Sequence, residues 1–273
     1  MTRQTHLPLI ICREGVKAIK TLVLSCRQIS KSYGPHPVLQ DVNLDLYRGE
    51  LVSVLGQSGS GKTTLFNILT GLDQDAGGVI NRPDRVGYML QKDTLLPWKR
   101  LVDNVALPLL LAGMSKKEAR DQAAGYFELF GLKGLEYRYP RQLSGGQSRR
   151  AGFLRTYLYS RDVMLLDEPF VGLDPITAGQ LYDWLGATKE ELGLSILLIT
   201  HRMEEAMILS DRIYVLGQGP PSSLWPSLQV PEEARTSDAM SKAGLLHLIH
   251  QRLFTLPSET EMDRSLVIPS RGQ

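Results

Sequence analysis

Eight consecutive residues, Gly56-Gln57-Ser58-Gly59-Ser60-Gly61-Lys62-Thr63, have the types and spacing to hold phosphate. Glycines let a backbone curl until successive N–H groups point inward, and a helix that begins there adds partial positive charge. Lys62 can then reach the β and γ phosphates of a nucleotide, while Thr63 offers a hydroxyl to Mg²⁺ and Thr64 continues the helix start. A glycine-serine turn that merely contains a lysine is the plainer alternative. The flanks argue against it, because the apolar run Leu51 to Leu55 precedes the loop and Leu65-Phe66-Asn67-Ile68-Leu69 follows. A strand delivers the glycines and a helix leaves them, the context a phosphate cradle needs.

Three further strand ends carry residues suited to the same chemistry. The apolar run Asp162 to Leu166 ends in Asp167-Glu168, a pair suited to Mg²⁺ binding through Asp167 and water activation by Glu168. A solvated acidic turn is disfavoured there, since the apolar strand carries both carboxylates to the sheet edge. Ser195 to Thr200 delivers His201 to that edge, where a histidine is either structural or a donor to a terminal phosphate. Val86 to Leu90 ends in Gln91, which reads as a surface amide or as a metal ligand that orients water. Finally, Leu143-Ser144-Gly145-Gly146-Gln147 opens a helical stretch containing Arg149, Arg150 and Arg155. It is either an ordinary helix cap or a second anion site. Two phosphate-type helix starts in one chain call for two ligands, or for two chains sharing each nucleotide.

The elements that must position these residues follow from periodicity. Thr21 to Tyr33 is an apolar segment and Val38 to Tyr47 and Glu50 to Leu55 read as strands, with Tyr33 either a packing aromatic or a stacking platform for a base. Leu95-Leu96-Pro97-Trp98-Lys99-Arg100-Leu101 places Trp98 in a loop, as a docking residue or a core filler. Ser115-Lys116-Lys117-Glu118 is a capping box, predicting a helix that carries Ala119, Ala123, Phe127 and Phe130 and stops at Gly131. Residues from about 95 to 158 thus form a helical insertion in an α/β core. Asp174-Pro175 caps a helix reaching Leu192, and Arg212 to Leu216 is the last core strand. Pro220, Pro221, Pro226 and Pro231 then mark a linker, followed by a helix from about Ser237 to Phe254 with Leu245, Leu246, Ile249 and Leu253 on one face. His247 and His250 on that helix lack a carboxylate or cysteine partner and read as helix surface. Residues 1 to 20 read as an N-terminal extension.

Composition sets the frame. The 273 residues are 42% hydrophobic and 22% charged, ordinary for a globular protein, and the formal charge of +2 gives no reason to expect nucleic acid as the main partner. Only Cys12 and Cys26 are present, too few for a disulfide framework, which suits a reducing compartment. The apolar run Val105 to Met114 is too short to span a bilayer and contains Pro108, and no signal peptide is expected.

Taken together these residues resemble the nucleotide-binding subunits of ATP-binding cassette (ABC) transporters, over roughly residues 22 to 218. The motifs stand in the family order: Tyr33 as the A-loop aromatic, Gly56 to Thr63 as Walker A, Gln91 as the Q-loop, Leu143 to Gln147 as the signature, Val163 to Glu168 as Walker B, Gly172-Leu173-Asp174 as the D-loop and His201 as the switch histidine. The resemblance implies an α/β fold: a P-loop NTPase core with an antiparallel β subdomain and a helical signature subdomain. It implies an ATPase domain over 21–218 and a C-terminal linker and helical extension over 219–273. It also implies an answer to the second anion site. Two subunits, a homodimer or pseudo-dimer, face each other head to tail, so that Walker A of one chain and Ser144, Gly145, Gly146 and Gln147 of the other sandwich one ATP.

On that pattern Tyr33 stacks on adenine, Gly56 to Thr64 with Lys62 hold the phosphates, and Thr63, Gln91 and Asp167 surround Mg²⁺. Glu168 polarises the attacking water, His201 contacts the γ-phosphate, and Asp174 communicates across the dimer. The run around Trp98, with Asn104 to Leu109, looks like the importers for nitrate, aliphatic sulfonates, taurine and the pyrimidine precursor of thiamine. Phe153 to Leu158 departs from that group's usual Ala-Arg-Ala-Leu ending, and Val171 stands where it commonly has glycine. The resemblance further implies a peripheral protein on the cytoplasmic face of the cell membrane. It would dock on permease subunits near Trp98 and Leu101 and serve, indirectly, a solute-binding protein. A cassette driving cell-wall remodelling and an exporter are the alternatives; a cassette acting on nucleic acid is disfavoured.

Overall fold

A computed structural model describes residues 20–91, 95–217, 219–232 and 239–254. Two sheets organise them. The first is antiparallel, in the order β2-β1-β4, with β1 Leu22–Tyr33, β2 His36–Tyr47 and β4 Gly77–Asn81. The second has the order β5-β6-β7-β3-β8-β9, built from β3 Leu51–Gly56, β5 Gly87–Met89, β6 Val163–Asp167, β7 Ser195–Thr200, β8 Arg212–Leu216 and β9 Leu228–Gln229. All its neighbours run parallel except β9, which pairs antiparallel with β8.

The parallel strands are continuous apolar runs because both their faces are covered. Strand alternation divides them cleanly. Leu165, Leu197 and Ile199 join a core made with the antiparallel sheet and with Phe66 and Leu69 of α1 (Lys62–Thr70). Leu166, Ile196 and Leu198 point the other way, into a core with Phe127, Phe130, Phe153 and Phe170. That second core is made by the helices α2 Leu101–Val105, α3 Leu107–Leu111, α4 Lys116–Ala124, α5 Gly145–Tyr159 and α6 Pro175–Leu192. A parallel sheet sandwiched this way exposes only its strand ends, and the carboxyl ends of β3, β6 and β7 lie side by side.

The capping box at Ser115 is present in both halves: Glu118 N–H donates to Ser115 Oγ and Ser115 N–H to Glu118 Oε2. The helix it opens is shorter than predicted. It ends at Ala124, after which Tyr126 and Phe127 bond back only three residues, to the carbonyls of Ala123 and Ala124. Tertiary packing overrides the helical period there. Phe130 turns in against Tyr157 and Trp184, at ring distances of 5.8 and 5.5 Å.

The proline-rich stretch after β8, which the sequence presents as a linker, is instead folded onto the core. Ser222 exchanges backbone bonds with Val38 and Gln40 of β2, and Trp225 N–H donates to Val215 of β8. Buried Trp225 then joins Leu245, Ile249 and Leu253 of α8 (Ala239–Phe254), Met207 of α7 (Met203–Leu209) and Ile213 in a third core. His247 and His250 lie exposed on the outer side of α8, as expected. Residues 1–19, most of the expected extension, lie outside the described residues.

A buried charge pair fastens these parts together. Arg212 donates from Nε and Nη2 to both oxygens of Glu50, at 2.7 and 2.9 Å, and also reaches the Asp45 carbonyl and Ser227. Replacing one member strands the other charge in the interior. Glu50→Gln is therefore expected to lower the unfolding free energy by about 3 kcal/mol, read as a fall in the urea midpoint at unchanged slope.

Candidate active site

The glycine-rich loop takes the curled form its composition predicts. Gly59 and Gly61 sit at φ 82° and 92°, where a side chain would be strained, and a Cβ on Gly61 would come within 2.9 Å of Leu39. Gly61 caps α1, so the helix begins at Lys62 and its free N–H groups face the loop. A cleft of about 350 Å³ opens above it. Ser58, Gly59, Gly61, Lys62, Thr63 and Thr64 line one side, and Gln91, Asp167 and Glu168 the other.

Within the cleft Lys62 Nζ is buried and donates to the Gly56 and Gln57 carbonyls, at 2.7 and 2.6 Å. Burial pushes its pKa down, while the charges of Glu168 and then Asp167 oppose that shift. Asp167 shows the converse. Burial raises its pKa first and the neighbouring Glu168 charge second, against hydrogen bonds from Thr63 and Tyr88 and the charge of Lys62. Thr63 Oγ1 stands 3.3 Å from Asp167 Oδ2, and Tyr88 OH 3.4 Å from the same oxygen.

Glu168 is held in a left-handed backbone conformation at φ 46°, with its N–H bonded to the Ile199 carbonyl at 3.0 Å. Such a conformation costs on the order of 1–3 kcal/mol in a residue with a Cβ. It turns the carboxylate away from the line of β6. Its oxygens meet the Gln91 amide, which donates from Nε2 at 3.1 Å, and His201 Nδ1, also at 3.1 Å. Four of the residues singled out at strand ends, Gln91, Asp167, Glu168 and His201, therefore form one cluster with the loop.

The remaining candidates lie elsewhere. Tyr33 is half exposed on β1, its hydroxyl donating to Asp73 and its ring under Lys31. Ser144 caps α5 reciprocally with Gln147, at 3.2 and 3.0 Å. Neither these two nor Gly145 and Gly146 line the cleft of their own chain. Gly145 and Gly146 instead abut Leu173 and Thr177, where a Cβ would come within 3.0 and 3.1 Å. Asp174 caps α6, accepting from the N–H groups of Ile176 and Thr177, and hydrogen bonds from the Thr177 side chain first and its N–H second hold the carboxyl below the usual range. Of the two docking candidates, Trp98 is 71% exposed, but Leu101 is fully buried in the helical core. Leu101 is thus corrected from a docking residue to a packing residue, since α2 turns that face inward.

Two contributors escaped the motifs. Tyr88 lies inside an apolar strand, and its hydroxyl, which needs a partner there, was the available signal. Arg149 is buried near the N-terminus of α5, a position the helix dipole disfavours for a cation. It donates to the carbonyls of Gln91 and Val171, at 2.9 and 3.0 Å, and so ties the signature helix to the segments that follow β5 and β6.

The family model for the ABC transporter matches residues 39–171. The formylaminopyrimidine import ATP-binding protein ThiZ of Halalkalibacterium halodurans is 41% identical over 216 residues, which cover 78% of this chain and 86% of that protein. The chain belongs to the ABC transporter family. The taurine import ATP-binding protein TauB of Escherichia coli strain K12 is 41% identical over 206 residues, covering 72% of the ABC chain described here and 81% of TauB. Among solved structures, a dimeric bacterial ABC transporter cassette is 28% identical with a TM-score of 0.65, covering 77% of this chain and 99% of that one. As an ABC cassette the chain binds and hydrolyses ATP in the service of transport. Removing the buried cation should then show in nucleotide affinity. Lys62→Ala is expected to weaken ATP binding roughly tenfold to a hundredfold, the worth of charge-assisted hydrogen bonds, in titration calorimetry.

Proposed function

We propose that this chain is the ATP-hydrolysing subunit of an importer that takes up a small organic or anionic nutrient through separate permease subunits. The carrying observation is the cluster at the strand ends, where Lys62, Thr63, Gln91, Asp167 and Glu168 line one cleft and His201 meets the Glu168 carboxylate. In that reading the loop amides and Lys62 hold the nucleotide phosphates, with Lys62 exchanging its two carbonyl partners for phosphate oxygens. Tyr33 carries the adenine. Thr63, Asp167 and Gln91 are an all-oxygen donor set of the kind Mg²⁺ takes, with the Thr63 and Asp167 oxygens 3.3 Å apart. The ion would neutralise charge on the terminal phosphates. Glu168 orients the attacking water and accepts its proton, Gln91 and His201 steer that carboxylate, and His201 turns to the γ-phosphate.

Gly145, Gly146 and the Ser144 cap serve a second copy of the chain. They sit beside the D-loop rather than in their own cleft, and a related cassette of known structure is dimeric. Two chains facing head to tail would each complete the other's site. The relatives named for formylaminopyrimidine and taurine import favour uptake over export, and nutrients of that size as cargo. No helix among the described residues is long and apolar enough to cross a membrane, in keeping with a peripheral subunit docked on the cytoplasmic face. A solute-binding protein would select the cargo on the far side of the permease.

Two variants test this reading. Glu168→Gln is expected to retain ATP affinity while hydrolysis falls about 10²- to 10⁴-fold, the usual weight of a general base, in a phosphate-release assay beside equilibrium binding. Unchanged turnover would remove Glu168 from its role. Trp98→Ala is expected to leave the ATPase of the isolated chain intact and to reduce co-purification of a multi-span permease from detergent extracts. Full recovery of the permease would place docking elsewhere.

A further inference from the structure

Directly beneath His201 lies a buried hydrogen-bonded chain that draws on three elements. Thr200, the last residue of β7, is 1% exposed; Glu205 of α7 is 2% and Tyr182 of α6 is 8%. Thr200 Oγ1 donates to Glu205 Oε2 at 2.6 Å and accepts from the Arg202 N–H at 3.0 Å. Tyr182 OH donates to Glu205 Oε1 at 3.1 Å, and Arg202 Nη1 lies 3.2 Å from that oxygen. A buried carboxylate is tolerated only when its oxygens are satisfied. Here that requirement constrains the turn Thr200-His201-Arg202 from both sides. The hydroxyl that satisfies Glu205 also receives the N–H that closes the turn, so only one rotamer of Thr200 serves both bonds.

His201 itself makes no part of this chain. Its side chain is 43% exposed and points to Glu168. The backbone beneath it is fixed by buried groups while the ring stays free to act. Tyr182 extends the connection to α6, the helix that Asp174 caps. We propose that Thr200, Glu205 and Tyr182 are positioning residues that hold the His201 turn in register with Glu168 and tie it to the helix that starts at the D-loop. The proposal rests on the reading of His201 as the γ-phosphate contact.

The test compares steady-state ATP hydrolysis by the full-length chain carrying Thr200→Val, Thr200→Ser, Tyr182→Phe, His201→Ala and the double change Thr200→Val with His201→Ala. Thr200→Val keeps the shape and removes the hydroxyl, and is expected to lower kcat roughly tenfold to a hundredfold, the cost of misplacing a reacting group, with KM for ATP within about twofold. Thr200→Ser restores the hydroxyl and should restore kcat. Tyr182→Phe leaves Thr200 and Arg202 on the carboxylate, so kcat should fall only about threefold. Because Thr200 acts through His201, adding Thr200→Val to His201→Ala should cost nothing further.

Wild-type kcat in Thr200→Val, an equal loss in Thr200→Ser, or losses that multiply in the double variant would each overturn the proposal. Should Thr200→Val not fold, Tyr182→Phe from its separate helix carries the same comparison in the His201→Ala background. A wild-type rate in His201→Ala would overturn the γ-phosphate reading and the positioning proposal together. A loss in His201→Ala beside wild-type rates in Thr200→Val and Tyr182→Phe would overturn the positioning proposal alone.

Discussion

The cleft depends on the balance between two adjacent carboxylates and a buried lysine. Among the described residues lining the cleft, Asp167 and Glu168 stand side by side against the cation Lys62, and burial disfavours the charges of Lys62 and Asp167. Two carboxylates facing a polyphosphate would repel it, and Lys62 spends its hydrogen bonds on the Gly56 and Gln57 carbonyls. On the proposed reading, a divalent cation held by Thr63, Asp167 and Gln91 would relieve that repulsion. The raised pKa of Asp167 and the lowered pKa of Lys62 have one first cause, the burial of both charges in the same cleft.

What holds the balance in place is the sheet. Strands buried on both faces leave only their ends for chemistry, and the order β6-β7-β3 sets Asp167, Thr200 and Gly56 at adjacent ends. Glu168 then leaves the strand through a left-handed residue anchored on the Ile199 carbonyl. Without that anchor the strained conformation would relax and the carboxylate would lose both Gln91 and His201. The strand ends that carry Asp167, Glu168 and His201 are in turn held by the packing of Leu165, Leu166, Leu197 and Leu198 beneath them.

Much of this was legible in the sequence because it is local. The glycine spacing of the loop, the apolar runs ahead of Asp167 and His201, and the caps at Ser115, Ser144 and Asp174 each depend on a few neighbouring residues. What the sequence concealed is set by distant contacts. Leu101 stands in the same short run as Trp98, and only the direction of α2 separates the buried residue from the exposed one. The prolines after β8 predict a linker, yet Trp225 and the bonds of Ser222 to β2 fold the stretch onto the core. Tyr88 and Arg149 carry no motif, and their partners lie 79 and 58 residues away in the chain.

Arg149 and Tyr182 suggest how one cleft can sense a second chain. Arg149 bonds the signature helix to the Gln91 and Val171 carbonyls, and α6 runs from Asp174 at the chain's surface to Tyr182 beneath the His201 turn. Ile176, at the start of α6, is 76% exposed, so the first turn of this helix is open to a partner while its middle is locked in the core. A helix 18 residues long moves as a unit, since its ladder of backbone bonds resists bending. On the proposed head-to-tail dimer, α6 would thus couple contact at the facing chain to the placement of His201.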